Sequence, residues 1–221
     1  MYILSDMCTD MGWKMERYVI TIARGYGSGG RTLGKKLAAK FGIQYYDKEL
    51  LDLTANLTGI GRHHFANADE QIMKSSLYRV ASNVYRGISE QDESGINNEN
   101  LFAYQAKVLE ELAKYESFVV IGRCANYILR NHPRVIRVFV HAPIEKCVEN
   151  LSDLSTLDHS GMVSLIRKTD SARAEYCYYH TGRVWNDVTN YDLVLDTGRL
   201  DMNQCVSLVE AYRDIVVGRT K

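Results

Sequence analysis

The chain has 221 residues, a length that fits one α/β domain. Basic and acidic side chains balance at 27 each, so the global charge indicates neither a nucleic-acid partner nor a membrane partner. The longest apolar runs are too short to span a bilayer. The five scattered cysteines form no CxxC pair, which predicts reduced thiols in a cytoplasmic protein and no zinc site.

Residues 1–16 lack the charged start and the long apolar core of a signal peptide, and we expect them to form a flexible leader. From residue 17 to residue 221 the sequence alternates between strand and helix patterns. This alternation predicts a single α/β domain with a parallel sheet that helices cover on both faces.

The individual elements follow from short apolar runs and from helical spacing of apolar residues. Residues 58–100 are the hardest to interpret: their first part is expected to be helical, and the polar stretch 91–100 is predicted to be a mobile loop. Strands are predicted at 18–23, 43–46, 117–121, 135–141 and 191–195, and helices at 32–41, 48–57, 101–115, 162–179 and 203–216, with a further helix opened by Ala142-Pro143.

A glycine-rich segment lies between the first strand and the first helix. It fits the pattern GxxxxG[K/R][S/T], with arginine at the usual lysine position. Glycines let the chain wrap closely around phosphate oxygens, and the following helix adds free N–H groups and its dipole. The segment therefore predicts a nucleotide-binding P-loop, with Arg31 on the β and γ phosphates and Thr32 on Mg²⁺. The residues assigned to it are Gly25, Gly27, Ser28, Gly29, Gly30, Arg31 and Thr32.

A dinucleotide site is the less favoured interpretation of the same glycines. A GxGxxG pattern can be read from Gly25 to Gly30, but no acidic residue ends the second strand at the distance expected for a ribose contact. Asp47 is the nearest candidate. The sequence supports two interpretations of Asp47 equally. In the first, its carboxylate binds Mg²⁺ or the acceptor; in the second, it caps the helix that follows.

Charged residues at strand ends and on the long polar helix are further candidates. Arg123 follows an apolar strand at the sheet edge where ligands bind, and it is interpreted as a clamp for a substrate phosphate, against the alternative of a surface ion pair. Arg167, Asp170 and Arg173 have three-residue spacing, which is typical of surface ion pairs but also of a basic helix that closes over a polyphosphate.

Two other groups of residues are interpreted without a functional role. The adjacent pair His63-His64 lacks a third metal ligand, so we expect surface residues there. We expect four aromatic residues to pack in the protein rather than to form a platform that stacks on a base: tyrosines 176, 178 and 179, and Trp185.

Several separated motifs resemble the cytidylate kinase-like family of P-loop proteins, relatives of the nucleoside-monophosphate kinases. The resemblance runs from about residue 17 to about residue 216. In chain order the segments that carry it are VITIARGYGSGGRTLGKKLA, YYDKELL, FAYQAKVLEELA, VVIGRCANYILR, RVIRVFVHAP and IRKTDSARAEYCYYHTGRVWNDVTNYDLVLDT. An arginine at the P-loop lysine position, here Arg31, is usual in that family.

The resemblance implies a three-layer P-loop fold with a five-stranded parallel sheet, an acceptor-binding insertion at 58–100 and a lid-like helix at 160–183. It also implies that Asp170 and Arg173 belong to the lid and that Arg123 grips a monophosphate. True cytidylate kinases carry an aspartate that helps to read the base where this chain has Cys124. Many relatives carry aspartate at Asn126, and the serine-containing acceptor segment is replaced by the sequence that starts at Asp47.

The leading hypothesis is ATP-dependent and Mg²⁺-dependent phosphoryl transfer to a nucleoside monophosphate, with CMP or dCMP as the first acceptor to test. Asp47, Arg123, Cys124, Asn126 and Arg167 are the substrate-binding candidates, while Arg31, Arg123, Asp170 and Arg173 are the catalytic ones. The alternatives are a small-molecule kinase with a non-nucleotide acceptor and a nucleotide-binding regulatory module without turnover. The sequence does not fix an oligomeric state.

Overall fold

Five parallel strands form one sheet in this computed structural model, which describes residues 17–47, 75–89 and 100–218. The order of the strands across the sheet is β2-β3-β1-β4-β5. The elements in chain order are β1 (Val19–Arg24), α1 (Gly30–Phe41), β2 (Gln44–Tyr46), α2 (Ser76–Ser89), α3 (Leu101–Tyr115), β3 (Phe118–Ile121), α4 (Ala125–Ile128), β4 (Val135–His141), α5 (Ile144–Leu151), α6 (His159–Thr181), β5 (Leu193–Asp196) and α7 (Met202–Arg213).

These bounds confirm the predicted fold class and all five predicted strands to within two residues at each end. The central strands β1 and β3 are buried on both faces, so each appears in the sequence as a nearly continuous apolar run, whereas the edge strands β2 and β5 are only partly buried. The predicted leader, the helix at 48–57, the two histidines and most of the 58–100 insertion lie outside the described residues. Within that insertion the structure describes α2, whose long amphipathic surface packs on α3.

The alternation of side chains along the strands produces two hydrophobic layers. Val19 of β1 faces a cluster built with α2 and α3, whereas Ile20 and Ile22 face the opposite cluster with α1 and α7. Since successive residues of a strand point to opposite faces, each central strand contributes to both layers. The predicted three-layer arrangement, with helices on both sides of the sheet, is therefore confirmed.

The central strand β1 positions the site. It pairs with β3 on one side and with β4 on the other, so the chain connections diverge at its carboxyl end. In open parallel sheets, ligands bind in the crevice at such a switch point. Arg24, Asp47, and the segment that starts at Gly122 all lie at this edge because each follows or ends a strand.

The lid-like helix predicted at 160–183 corresponds to α6. Asp158 caps its start by accepting a hydrogen bond of 2.8 Å from the N–H of Gly161. Gly182, with φ of 67°, ends the helix in the left-handed conformation that favours glycine. Among the described helices, none is both long enough and apolar enough to cross a membrane.

Candidate active site

The phosphate loop runs between β1 and α1, where the sequence predicts it. Gly27 and Gly29 both have φ of 81°, a conformation that costs glycine little. A Cβ on Gly27 would also lie 2.8 Å from the carbonyl oxygen of Cys147 on α5. Ser28 is fully buried, and its hydroxyl donates to the carbonyl of Gly25 at 2.8 Å, so its side chain holds the loop in shape.

The backbone N–H groups of this loop are available to an anion. Within the described ranges, those of Gly27, Gly29, Gly30 and Arg31 have no hydrogen-bond acceptor in the protein. They line a cavity of about 470 Å³ together with the start of α1. Free N–H groups at a helix start favour a polyphosphate. We call this space the donor cavity; its other lining residues are Arg24, Gly25, Tyr26, Thr32, Asn150, Leu151, Leu154, Arg173 and Met202.

Arg31 projects from the first turn of α1 toward the end of β2. Its Nε lies 2.6 Å from Oδ2 of Asp47, and the Arg31 side chain is 47% exposed. Asp47 also lies 3.9 Å from Nη2 of Arg24, and its carboxylate lines the neighbouring cavity. This position supports the interpretation of Asp47 as a site residue; the helix that it was alternatively expected to cap lies outside the described residues.

Arg24, the last residue of β1, is a site residue that the sequence analysis missed. Burial first, and then the charge of Arg173, lower the pKa of its guanidinium to about 10. Gly122 has φ of 71°, and a Cβ there would lie 2.3 Å from Nη1 of Arg24, so a larger residue here would strain the turn and displace the Arg24 guanidinium. The sequence pattern that predicts Arg123 as a site residue, an arginine where an apolar strand ends, also applies to Arg24.

Asp170 and Arg173 connect helix α6 to the phosphate loop. Oδ1 of Asp170 accepts hydrogen bonds from the N–H of Tyr26 at 2.8 Å and from Nη1 of Arg173 at 2.9 Å. The same Nη1 donates to the carbonyl of Arg24 at 2.9 Å. Burial raises the pKa of the Asp170 carboxyl and lowers the pKa of the Arg173 guanidinium. The two predicted lid residues thus meet at the loop.

The turn after β3 has three consecutive residues in the left-handed region. Gly122, Arg123 and Cys124 have φ of 71°, 56° and 54°. For the two residues that are not glycine this conformation costs about 1–3 kcal/mol each, and such strain clusters at functional sites. The turn directs Arg123 into the cavity beside α6, where its guanidinium lies 5.6 Å from the ring centre of Tyr176.

A second cavity, of about 620 Å³, lies between this turn and α6. We call it the acceptor cavity. Leu165, Lys168, Thr169, Ala172, Arg173, Tyr176 and Cys177 form its α6 wall, and Ala23, Arg24, Arg31, Asp47, Ile121, Arg123, Cys124, Asn126 and Trp185 complete it. Arg24, Arg31 and Arg173 line both this cavity and the donor cavity. The two cavities therefore meet at three guanidinium groups.

Cys124 and Cys177 form a pair of thiols in the acceptor cavity. The interaction with Cys177, and then burial, raise the pKa of Cys124. The interaction with Cys124, together with the hydroxyl of Thr181 at 3.6 Å, lowers the pKa of Cys177. Cys124, the candidate base-reading residue, therefore shares the cavity wall with a second thiol, that of Cys177 on α6.

Not every candidate faces the site. Arg167 is exposed and lines neither cavity, whereas its neighbour Lys168 does, because the cavity wall follows the helical repeat through Lys168 and Ala172. Tyr178 and Tyr179 are exposed, so the expectation that they pack is wrong for them. Tyr176 and Trp185 do pack, against Phe102 and Phe139, and they also line the acceptor cavity, a location that the sequence pattern did not indicate.

The residues present fit a bound Mg²⁺. Thr32 lies in the donor cavity and is exposed, and in the described ranges its hydroxyl has no hydrogen-bond partner. Mg²⁺ in kinases takes one or two protein oxygens, and phosphates and waters supply the rest. In the described part of the chain, no group of three or more His, Cys, Asp or Glu side chains can hold a metal by itself.

Comparison with solved structures shows the fold. An uncharacterised protein from Eubacterium ventriosum ATCC 27560 superposes with a TM-score of 0.66 at 22% identity, covering 90% of this chain and 99% of that one. A shikimate kinase from Bacteroides thetaiotaomicron gives 0.47 at 15% identity, with coverages of 88% and 97%. A gluconokinase from Sinorhizobium meliloti 1021 gives 0.48 at 15% identity, with coverages of 91% and 95%.

No curated protein matches the sequence. The family is established by a different comparison. The model of the cytidylate kinase-like family matches residues 19–199, a segment that includes the phosphate loop, Arg123 and the whole of α6. With most of its length matched and its strands, loop and lid helix in the expected order, the chain belongs to the cytidylate kinase-like family.

Proposed function

We propose that the protein is a phosphotransferase that moves the γ-phosphoryl group of ATP, with Mg²⁺, to the phosphate of a nucleoside monophosphate. The observation that carries this proposal is the shared wall of the two cavities. Arg24, Arg31 and Arg173 face both the donor side and the acceptor side. Phosphoryl transfer needs two anionic substrates held in line and positive charge at the group in transit.

In the proposed step, an oxygen of the acceptor phosphate forms a bond to the γ-phosphorus while the bond from that phosphorus to the β,γ-bridging oxygen breaks. ADP leaves and a nucleoside diphosphate remains. The loop N–H groups hold the donor phosphates, Arg123 holds the acceptor phosphate, and the three shared guanidinium groups stabilise the charge between them. Thr32 would hold Mg²⁺, which when bound would supply positive charge against the phosphates.

The lining of the acceptor cavity favours one kind of acceptor, a phosphomonoester that carries a planar ring, and disfavours a polyol. Five cationic side chains contribute to the wall, against one carboxylate, that of Asp47. Away from the charges the described lining is mostly apolar or aromatic, with Ile121, Leu165 and Trp185. A polyol would leave hydroxyls without partners on such a surface, which is costly. The charges suit a phosphate dianion and the apolar part suits a base.

Base selectivity is expected to be weak. Cys124 lines the acceptor cavity and is a poor hydrogen-bond acceptor for the exocyclic amine of cytosine. Asn126 has an amide that lines the cavity. CMP should therefore be favoured over UMP by about tenfold or less, about 1.4 kcal/mol. CMP and dCMP remain the first acceptors to test.

The test is a panel of acceptors with labelled ATP and Mg²⁺: CMP, dCMP, UMP, AMP, shikimate and gluconate. Arg123→Gln should raise the KM of every monophosphate by a similar factor and leave the KM of ATP unchanged. Arg130→Gln is the matched control, because Arg130 is exposed and lines neither cavity. Turnover of a sugar acid alone would favour the non-nucleotide kinase. ATP binding without turnover of any acceptor would favour the regulatory module.

A further inference from the structure

Trp185 lies in the acceptor cavity but takes part in none of the steps above. Its indole and the ring of Phe139 pack in a T-shaped arrangement, with ring centres 5.3 Å apart and planes at 79°, and Phe139 belongs to a small cluster with Tyr191. Trp185 also lines the cavity. Within the described ranges its N–H has no hydrogen-bond partner. The residue therefore both packs against the protein and borders a ligand space.

The segment that carries Trp185 is fixed by its own hydrogen bonds. Asn190, which is buried, donates to the carbonyl of Val184 at 3.0 Å and accepts from Nη1 of Arg183 at 2.8 Å. The hydroxyl of Tyr191 donates to the carbonyl of Trp185 itself. These bonds tie both ends of a short connection between α6 and β5 together. Trp185 is therefore held in place before any ligand arrives, which lowers the entropic cost of using it for binding.

We propose that Trp185 is a binding residue for the acceptor, and that its indole face stacks on the base of a nucleoside monophosphate whose phosphate lies at the arginines. This inference rests on the proposed function and names the residue that selects a planar ring over a sugar acid. Stacking is tolerant of base identity because every base has a π face. The same residue therefore accounts for ring recognition together with weak selection among bases.

Fluorescence gives a direct test, since the chain has only two tryptophans, Trp13 and Trp185. In the Trp13→Phe protein the emission reports Trp185 alone. CMP should change this emission, whereas ribose 5-phosphate, which has the phosphate and the sugar but no base, should bind without the change. Binding of each ligand is measured independently by calorimetry. CMP binding or turnover without any change in the emission would overturn this inference and leave the proposed function intact.

Substitution of Trp185 separates ring binding from packing. Trp185→Leu keeps an apolar contact on Phe139 but removes the π face, and should raise the KM of CMP by about fivefold to hundredfold. Trp185→Phe should recover much of this loss, and the KM of ATP should not change in either variant. Tyr179→Leu is the control, because Tyr179 is an exposed aromatic residue that lines neither cavity.

The outcomes distinguish the two proposals. Equal losses in Trp185→Leu and Trp185→Phe, or a parallel rise in the KM of ATP, would show that Trp185 only supports the fold. Melting temperatures accompany the kinetics, and if Trp185→Leu does not fold, the emission of the Trp13→Phe protein decides. If calorimetry detects no binding of any monophosphate while ATP binds, the proposed function fails and this inference fails with it.

Discussion

Arg173 offers a sharp test of the site because it connects three parts of it. Its Nη1 donates to the carbonyl of Arg24 and to Oδ1 of Asp170, both at 2.9 Å, and its side chain is 22% exposed. Arg173→Met keeps the aliphatic stem and removes the charge and both hydrogen bonds. Hydrogen bonds to charged groups contribute about 1.5–3 kcal/mol, so a loss of about 2 kcal/mol of unfolding free energy is expected.

The destabilisation should depend on pH, with Asp170 as the cause. Burial raises the pKa of Asp170, and the charge of Arg173 opposes that shift. Without Arg173 the folded-state pKa rises further above its unfolded value. A carboxyl group with a raised pKa stabilises the fold only while it is protonated, so this contribution is lost as pH rises through the raised pKa. The penalty of Arg173→Met should therefore be larger near neutral pH than near about pH 4.

Activity separates a structural role from a catalytic one. If Arg173 stabilises charge in the transition state, Arg173→Met should lower kcat by about a hundredfold to a thousandfold. Asp170→Asn in the same chain removes the unpaired carboxylate but keeps an oxygen that can accept from the N–H of Tyr26. The double variant should recover stability but not kcat.

The measurements are urea denaturation at two pH values and steady-state kinetics on the parent, the two single variants and the double variant. Asp170→Asn alone shows how much of any lost activity belongs to Asp170. If kcat returns together with stability in the double variant, Arg173 acts only as a structural tie between α6 and the phosphate loop. That result would refute the assignment of Arg173 to the chemistry.

Three further predictions concern the phosphate loop and the acceptor cavity. Arg31→Ala should lower kcat by about tenfold to a thousandfold, and Arg31→Lys should recover part of the loss. The unfolding free energy should change by less than about 1 kcal/mol, because the Arg31 side chain of the ion pair with Asp47 is about half exposed. Gly30→Ala would place a Cβ 2.5 Å from the Cβ of Arg24 on β1, and urea denaturation should show an unfolding free energy lower by about 1–3 kcal/mol. The Cβ of Gly87→Ala would meet no atom within 4 Å, and this variant should raise the unfolding free energy by about 0.5–1 kcal/mol. Cys177 lines the acceptor cavity and its interaction with Cys124 lowers its pKa, so it should react with iodoacetamide and be protected by CMP. Cys205, which is fully buried and lines neither cavity, should not react, and equal labelling of both by mass spectrometry would contradict the placement of Cys177 at the cavity.

Much of the fold could be predicted because its information is local. Strands that are buried on both faces appear as apolar runs, and the helix 101–115 and the strand 135–141 have the same bounds in the structure as in the prediction. The phosphate loop was predicted for a similar reason. Close wrapping requires glycine at defined positions, and the structure has left-handed backbone at Gly27 and Gly29.

The site could be predicted only where a residue is next to a strand end or a loop in the sequence. Arg31 and Arg123 meet that condition and lie in the cavities. Arg167 was selected by spacing along the helix, but spacing alone leaves the rotation of a helix about its axis undetermined. The contact of α6 with the phosphate loop decides that rotation, and it turns Lys168 inward while Arg167 stays outside.

By itself, the sequence determined the class of fold, the phosphate loop and the edge of the sheet where chemistry occurs, because apolar runs, glycines and chain order are local or topological properties. Only the tertiary structure decided which side chains share a space. The meeting of Cys124 and Cys177 in the acceptor cavity and the place of Trp185 there both depend on how α6 and the segment after it pack against β1 and β3. Such packing brings together residues that are more than fifty positions apart in the chain, and no local pattern records it.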